Sequence, residues 1–336
     1  MVNLIFGPPG TGKTHTLLGI VEDALNKGIE PDRIGYFAFT RKASREAIDR
    51  ALERFPQYEK KDFKYFKTLH SMAYFELGLT DNSLMDDADY KELSNHLNIK
   101  ISNPKNRFDN YGVGWQDDRY TQIIDLARIR NVSLEHQFCQ PSTGHLSGGL
   151  LKLRKIATGL ERYKKQNGFM DFTDMLEEFI KRKSSPKFKL LIIDEAQDLS
   201  SLQWDMVDIL IKNSKEVYIA GDDDQAIFKW AGADPWRFKN QKGNRIILDQ
   251  SYRVPRAVQH KALNVINRIP GDQRVEKSWK SVDREGLFKI HTNPIPGMDF
   301  LKDDWLILTR TNHLLDKIEA ELQSRGIFYQ RHNSKS

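Results

Sequence analysis

Cysteine is nearly absent from this sequence, since Cys139 is the single thiol in 336 residues. One cysteine excludes an internal disulfide framework and suits a reducing compartment, so we expect a cytoplasmic location. Long apolar runs are missing as well, because no stretch reaches the roughly 18 residues of a membrane span. The apolar start at Val2 belongs to the first motif described below, and we expect neither a signal peptide nor a membrane partner.

An excess of one charge sign is also missing, because 52 Lys and Arg residues stand against 46 Asp and Glu residues. The net charge of +6 favours a polyanionic partner but is too small to identify one. The sequence contains no internal repeat and no low-complexity tract. Its length predicts two or three domains rather than one.

The first motif is a phosphate-binding loop. Val2–Phe6 has the composition of a buried strand, and residues 14–27 have a helical periodicity that ends at Gly28. Between them every fixed position of the P-loop pattern is filled, and the predicted nucleotide contacts are Gly7, Pro8, Pro9, Gly10, Thr11, Gly12, Lys13 and Thr14. In this pattern backbone N–H groups cradle phosphate, Lys13 reaches the terminal phosphates and the Thr14 hydroxyl ligates Mg²⁺. The alternative is a glycine-rich turn without a ligand.

A second buried strand, over 190–194, ends in the acidic sequence Asp194-Glu-Ala-Gln-Asp198. A carboxylate at the tip of a strand beside a P-loop strand can hold the shell of a Mg²⁺ ion, and the next carboxylate can activate the attacking water. We therefore assign the metal to Asp194 and the water to Glu195. The alternative is an acidic helix start, since Asp and Glu are favoured in first turns.

The stretch 221–233, Gly-Asp-Asp-Asp-Gln-Ala-Ile-Phe-Lys-Trp-Ala-Gly-Ala, combines carboxylates and an amide with two aromatic residues. It follows an apolar run over 216–220 that is typical of a buried parallel strand. Open α/β sheets bind ligands at the carboxyl ends of their strands. One loop is therefore expected to contact both the phosphates of a nucleotide and a nucleic-acid base.

Taken in order along the chain, these motifs resemble those of the superfamily 1 helicases of the UvrD/Rep/PcrA type. Further segments match that family in the same order, at 37–47, 68–70, 171–174, 248–253 and 306–311. The P-loop alone fits an AAA-type ATPase equally well. The combination of Gln225, Phe228 and Trp230 is what favours the helicase.

The resemblance implies an ATP- and Mg²⁺-dependent motor that moves 3′ to 5′ on single-stranded DNA and opens duplex junctions. Its implied catalytic residues are Lys13, Asp194, Glu195, Gln225 and Arg253. Among them Gln225 contacts the γ-phosphate, and Arg253 is an arginine finger that also belongs to the nucleotide site. A surface salt bridge is the alternative for Arg253.

The resemblance also implies a path for single-stranded DNA, lined by Phe39, Thr40, His70, Phe228 and Trp230. Stacking one unpaired base on an aromatic side chain is worth roughly 1–3 kcal/mol and tolerates any sequence, as a translocating motor requires. The alternatives are a core aromatic for Trp230 and a capping or core histidine for His70.

The implied fold class is α/β, with a P-loop RecA-like parallel sheet, a helical insertion and a partial second RecA-like domain. Residues 1–74 and 168–255 are predicted to form the first RecA-like ATPase domain. Residues 75–167 are predicted to be a mostly helical insertion, because buried-strand runs stop and turn-rich stretches appear at 102–107 and 142–149. Residues 256–336 are predicted to begin the second domain, with a helix over 256–268 and a strand and helix over 286–326.

The sequence departs from the family at three places. It lacks the upstream glutamine segment that recognises adenine, it has Ala231 where the family commonly has arginine, and it ends before two further motifs, one of which carries another catalytic arginine. We therefore expect this chain to bind ATP and single-stranded DNA, and to unwind duplex poorly unless a complementing C-terminal fragment is present. A non-motor module that binds ATP and single-stranded DNA, or the motor part of a helicase–nuclease, are the alternatives.

Overall fold

A parallel β-sheet is the central element of the protein. The computed structural model describes residues 1–103, 119–140, 148–291, 299–300, 302 and 304–331. Across these residues six strands form one sheet in the order β3-β2-β4-β5-β1-β6, and all pairs are parallel. The strands are β1 Val2–Phe6, β2 Ile34–Phe37, β3 Phe66–Lys67, β4 Phe188–Ile193, β5 Ser214–Gly221 and β6 Asn244–Ile247. The predicted parallel α/β sheet is confirmed.

The described helices lie between the strands and after the last one. They are α1 Lys13–Asn26, α2 Arg41–Arg54, α3 Leu69–Glu76, α4 Asp87–Leu97, α5 Arg119–Ile129, α6 Leu134–Phe138, α7 Gly149–Asn167, α8 Phe172–Arg182, α9 Ser201–Lys212, α10 Pro235–Asn240, α11 Arg256–Ile266 and α12 Asn312–Ser324. No described helix is long and apolar enough to cross a membrane.

Both faces of the sheet are buried, which explains why its central strands are apolar almost throughout. Side chains of a strand alternate between faces, so Leu4 and Phe6 join one core and Ile5 joins the other. Helices α1 and α2 supply residues such as Leu17 and Ile48 to the Ile5 side. Helices α3, α8, α9 and α10 cover the opposite side with residues including Met72, Leu176, Trp204 and Phe238. Helices on both faces of a parallel sheet define a doubly wound α/β architecture.

The described part of the predicted insertion is helical and has a core of its own. Helices α4, α5 and α7 pack residues such as Tyr90, Ile123 and Leu160 together. Asp171 caps the N-terminus of α8 by accepting a hydrogen bond from the backbone N–H of Asp174. Ion pairs join the insertion to that helix start, and they link Arg128 and Lys164 to Asp171 and Asp174. Most of the turn-rich stretches at 102–107 and 142–149 lie outside the described residues.

Residues after 255 contain the predicted helix, observed as α11, and then α12. The strand predicted within 286–326 is wrong for the residues that the structure describes, because none of them is in a strand. The apolar side chains of that region, Leu287, Ile290, Leu306 and Leu308, are instead largely exposed. A strand needs a neighbour to satisfy its backbone N–H and C=O groups, and the described residues provide none beside this segment.

We expect Phe238→Ala to destabilise the protein by about 3–5 kcal/mol, because it empties a fully buried site. The ring centre of Phe238 lies 4.7 Å from that of Phe6, the last residue of β1, so the substitution removes packing against the strand that precedes the P-loop. Trp236→Ala, at a side chain that is 66% exposed two residues earlier, is the control. Urea unfolding followed by circular dichroism measures both variants. Equal unfolding midpoints for the two would contradict the core assignment.

Candidate nucleotide and nucleic-acid site

Glycines shape the P-loop at the end of β1. Gly10 and Gly12 have φ values of 72° and 81°, the left-handed region that favours glycine. A Cβ atom on Gly7 would lie 2.4 Å from the side chain of Lys13, so only glycine lets that lysine fold back over the loop. The Lys13 ammonium donates a hydrogen bond of 2.7 Å to the carbonyl of Gly7. The lysine therefore lies over the loop, at the N-terminus of α1, where a phosphate would bind.

Asp194 is 2% exposed at the carboxyl end of β4. Its carboxylate accepts hydrogen bonds from the Tyr36 hydroxyl at 3.0 Å and from the Glu195 backbone N–H at 2.9 Å. Burial, and then the charge of Glu195, raise the pKa of Asp194 to about 6, while Tyr36 and Lys13 act in the opposite direction. The site is thus short of positive charge, which a cation beside Asp194 would supply.

Glu195 has a φ of 54°, which is uncommon for a residue other than glycine. Such strained conformations persist where the surroundings enforce them, often at functional sites. Gln197 provides part of that enforcement, since its amide donates hydrogen bonds to the carboxylates of Glu195 and Asp198. Its carbonyl oxygen accepts a hydrogen bond of 2.9 Å from the backbone N–H of Asp222. Gln197 therefore connects the acidic segment to the loop that follows β5.

Magnesium fits the donors that are present. Mg²⁺ prefers oxygen ligands and is usually bound by one or two carboxylates, several waters and the phosphates of a nucleotide. Asp194 and the Thr14 hydroxyl are donors of this kind. No group of three His, Cys, Asp or Glu residues that could hold a metal alone occurs among the described residues. The residues thus suit a metal that binds together with a nucleotide.

The predicted arginine finger lies beside the P-loop. The Ser251 hydroxyl donates a hydrogen bond of 2.8 Å to the Pro9 carbonyl, and the Tyr252 backbone N–H donates one of 2.8 Å to the Gly10 carbonyl. A Cβ atom on Gly10 would lie 2.7 Å from the Cβ atom of Arg253. The structure therefore brings Arg253 next to the phosphate-binding loop, although the two are more than 200 residues apart in the chain.

Three predicted nucleic-acid residues form a row of aromatic rings. Phe39, just beyond the end of β2, stacks on Phe228 with ring centres 5.7 Å apart and planes 29° apart. Phe228 is in turn 6.2 Å from Trp230, at an angle of 58°. Trp230 is 44% exposed, so it is not a core aromatic residue. The row leaves ring surface accessible for stacking.

The other two predicted nucleic-acid residues, Thr40 and His70, are not part of the aromatic row. Thr40 is exposed and caps α2 by accepting a hydrogen bond of 3.2 Å from the Ala43 backbone N–H. His70 is partly buried, with its ring 6.2 Å from that of Phe172 in α8. Burial lowers the pKa of His70 to about 4, against the attraction of Asp125, so the ring is neutral at neutral pH. A DNA contact by His70 would therefore not be that of a cation with a phosphate.

Gln225 lies on the exposed side of the loop after β5, and its amide donates a hydrogen bond of 2.6 Å to Asp222. That loop is also held by residues that sequence reasoning missed, namely Arg130, Gln197, Arg274 and Lys277. Gln197 lies inside the predicted acidic motif, and that position could have marked it as a site residue. The other three lie 50 to 100 residues from their partners, and no local pattern marks them.

The parallel sheet and the glycine-rich loop after β1 together define a P-loop α/β domain. The chain belongs to the UvrD/REP helicase N-terminal domain family, which matches residues 1–244. The predicted family resemblance is thereby confirmed. The chain is 28% identical, over 97% of its length, to a Mycoplasma pneumoniae protein named "Probable DNA helicase II homolog", of which it covers 51%. It is 27% identical to a protein of the same name from Rickettsia conorii, with 85% of this chain and 45% of that protein aligned.

A third relative is the "ATP-dependent DNA helicase PcrA" of Staphylococcus aureus, which is 24% identical over 86% of this chain and 40% of that protein. The chain spans about half the length of these curated relatives.

Asp198 gives the site a pH-dependent stability. Burial and the charge of Glu195 raise the pKa of Asp198 to about 7, and its buried Oδ1 atom has no hydrogen-bond partner among the described residues. Because the folded-state pKa lies above the ordinary value of about 4, the fold favours the protonated acid. The stability that this group contributes is therefore complete below about pH 4 and is lost as the pH rises to about 7.

We expect Asp198→Asn, which stays neutral, to lose less stability than the parent between pH 4 and pH 8. The variant should be the more stable protein at pH 8. Thermal unfolding in Mg²⁺-free buffer across this range measures the effect. The same substitution at the exposed Asp49 controls for the loss of one surface charge. Parallel curves for Asp198→Asn and the parent would contradict the assignment.

Proposed function

We propose that this chain is the ATP-hydrolysing, single-strand-binding part of a DNA helicase that moves 3′ to 5′ on single-stranded DNA. The observation that carries the proposal is the convergence at the carboxyl edge of the sheet. The P-loop, the Asp194–Glu195 pair and the 222–225 turn follow neighbouring strands there, and an aromatic row begins three residues after Gln225. Family membership and the names of the relatives support the assignment to DNA.

In the proposed nucleotide site, Lys13 and the N-terminus of α1 bind the terminal phosphates, and Thr14 and Asp194 hold Mg²⁺. When bound, the metal neutralises charge on the phosphate oxygens. Glu195 orients or deprotonates the attacking water in this proposal, and Gln197 restrains its carboxylate through a 2.8 Å hydrogen bond. Arg253, beside Gly10, is the candidate for stabilising transition-state charge, a role worth about 10³–10⁵ in rate when an arginine finger is in place.

In the proposed DNA site, unpaired bases stack against Phe39, Phe228 and Trp230, with Thr40 and His70 at its margin. Stacking on aromatic faces is independent of sequence, and phosphate contacts make binding sensitive to salt. The chain spans about half the length of its relatives. As part of this proposal, it binds ATP and single-stranded DNA and unwinds duplex junctions poorly unless a complementing C-terminal fragment is present. A non-motor module that binds the same two ligands is the second candidate, and hydrolysis stimulated by DNA distinguishes the two.

Lys13→Ala should weaken binding of Mg-ATP and abolish hydrolysis, because it removes the cation that contacts the terminal phosphates. Glu195→Gln should keep ATP bound and slow its cleavage, since it removes only the group that acts on water. Equilibrium binding of a fluorescent ATP analogue and a phosphate-release assay separate the two effects. Unchanged affinity in Lys13→Ala would remove the P-loop assignment, and normal hydrolysis in Glu195→Gln would move the water-activating role to another residue.

Trp230→Ala should weaken binding of a poly-dT oligonucleotide by on the order of 1–3 kcal/mol, the value of one lost stack. Fluorescence anisotropy at several salt concentrations measures the affinity. Trp236→Ala removes another exposed tryptophan, outside the aromatic row, and serves as the control. If Trp230→Ala binds as tightly as the parent, the exposed indole has no part in the DNA path.

A further inference from the structure

The turn at 222–225 is held in place by a lysine from a distant part of the chain. The Lys277 ammonium lies 2.9 Å from a carboxylate oxygen of Asp222 and 2.9 Å from one of Asp224, and it also pairs with Asp223. Its side chain is 1% exposed. One buried cation therefore binds three successive carboxylates of the same short turn.

Arg274, whose side chain is 12% exposed, binds the same turn. Its guanidinium donates two hydrogen bonds of 2.8 Å to the two carboxylate oxygens of Asp224, an arrangement that fixes direction as well as distance. The Val275 backbone N–H adds a hydrogen bond of 2.6 Å to Asp223. Residues 274–277, here called the brace, thus contact all three aspartates of the turn.

The charges of the brace persist at neutral pH. Burial opposes the charge of Lys277, but the carboxylates outweigh it and raise the pKa of the ammonium above its ordinary value. The pKa of Arg274 is also raised, first by its hydrogen bonds to Asp224. Desolvation largely offsets the attraction within buried ion pairs, so such pairs are weak evidence for a purely stabilising role. What this arrangement does supply is a defined geometry for the turn.

The braced turn connects the two proposed ligand sites. On one side Asp222 accepts a hydrogen bond from the Gln225 amide, and its backbone N–H donates to Gln197, which binds Glu195. On the other side Phe228 and Trp230 follow within five residues. Movement of the turn would therefore displace the nucleotide-contacting glutamine and the base-stacking rings together.

The backbone just after the brace contacts the segment that carries Arg253. Lys280, three residues after Lys277, donates its backbone N–H to the Asp249 carbonyl at 2.6 Å and accepts a hydrogen bond of 2.8 Å from the Ser251 N–H. Ser251 in turn holds Pro9 of the P-loop. One short segment of backbone therefore spans from the Gln225 turn to the loop that carries Arg253.

We propose that Lys277 and Arg274 are positioning residues that couple nucleotide binding to single-strand binding by holding the 222–225 turn between the two sites. This inference rests on the proposed function. Coupling means that binding of one ligand changes the affinity for the other, through a part of the protein whose state both ligands affect. If the brace only stabilised the fold, removing it would leave that coupling unchanged.

The test measures the affinity of a poly-dT oligonucleotide with and without a non-hydrolysable ATP analogue. The ratio of the two affinities is the coupling, which in coupled proteins is typically about 5- to 150-fold. In Arg274→Gln we expect this ratio to fall toward one. Arg274→Lys, which keeps the charge but not the two-pronged contact, should restore part of the ratio.

Arg256→Gln is the matched control. Arg256 also pairs with two carboxylates, Asp283 and Glu285, but all three side chains are exposed and none belongs to the turn. This variant should keep the parental ratio. Lys277→Met is the more severe variant, and the urea midpoint of every protein is measured so that loss of folding is recognised. If Lys277→Met does not fold, the Arg274 pair of variants decides.

Two results overturn the inference while leaving the proposed function intact. One is a parental ratio in Arg274→Gln together with a lowered urea midpoint, which would make the brace a stabilising feature alone. The other is a parent that binds both ligands with a ratio of one. A parent that binds neither the analogue nor the oligonucleotide removes the proposed function itself, and the inference with it.

Discussion

Parallel pairing of β1 with β5 is the constraint on which the site depends. The two strands are in register from Val2 opposite Val217 to Phe6 opposite Gly221, and a further hydrogen bond of 3.1 Å joins the Gly7 N–H to the Gly221 carbonyl. The P-loop and the Gln225 turn therefore leave the sheet at the same level. Since β5 also pairs with β4, the strand that ends at Asp194 emerges beside them. A parallel sheet with crossover helices places every such strand end on one edge.

Buried charge distinguishes this edge from the remainder of the core. Asp194 and Asp198 are carboxylic acids whose pKa values are raised by burial, whereas the aspartates of the 222–225 turn are matched by Lys277 and Arg274. The negative charge of Asp194 and Asp198 is thus poorly balanced by cations of the protein, whereas two cations balance the aspartates of the turn. The difference suits their proposed roles, since an unmatched carboxylate attracts a metal ion and a matched one fixes a loop.

The predicted insertion also contacts the loop that carries Phe228 and Trp230. Arg130, next to the end of α5, donates hydrogen bonds to the Lys229 carbonyl at 2.8 Å and, more weakly, to the Trp230 carbonyl at 3.4 Å. Gly232 has a φ of 103°, and a Cβ atom there would lie 2.6 Å from Ile129. Glycine therefore permits both the turn and the close approach of α5. The aromatic row is supported from the sheet on one side and from the insertion on the other.

Much of the proposed nucleotide site could be predicted from the sequence alone, because a P-loop and an acidic strand end are local patterns. The apolar runs of β1, β4 and β5 predicted buried parallel strands, and spacing placed Lys13 at a helix start. Strand length, burial and loop chemistry depend on residues that are neighbours in the chain, so they can be read from it. Family resemblance added Arg253 and the aromatic residues.

Tertiary structure alone decided which distant residues meet. The stack of Phe39 on Phe228 and the contact of Lys277 with three aspartates join residues 53 to 189 positions apart, and such contacts depend on strand order and packing. The packing of His70 against Phe172 likewise follows from how α3 meets α8. The sequence predicted a strand within 286–326, yet none of the described residues there is in a strand. A strand also needs a neighbouring strand, and its own sequence cannot supply one.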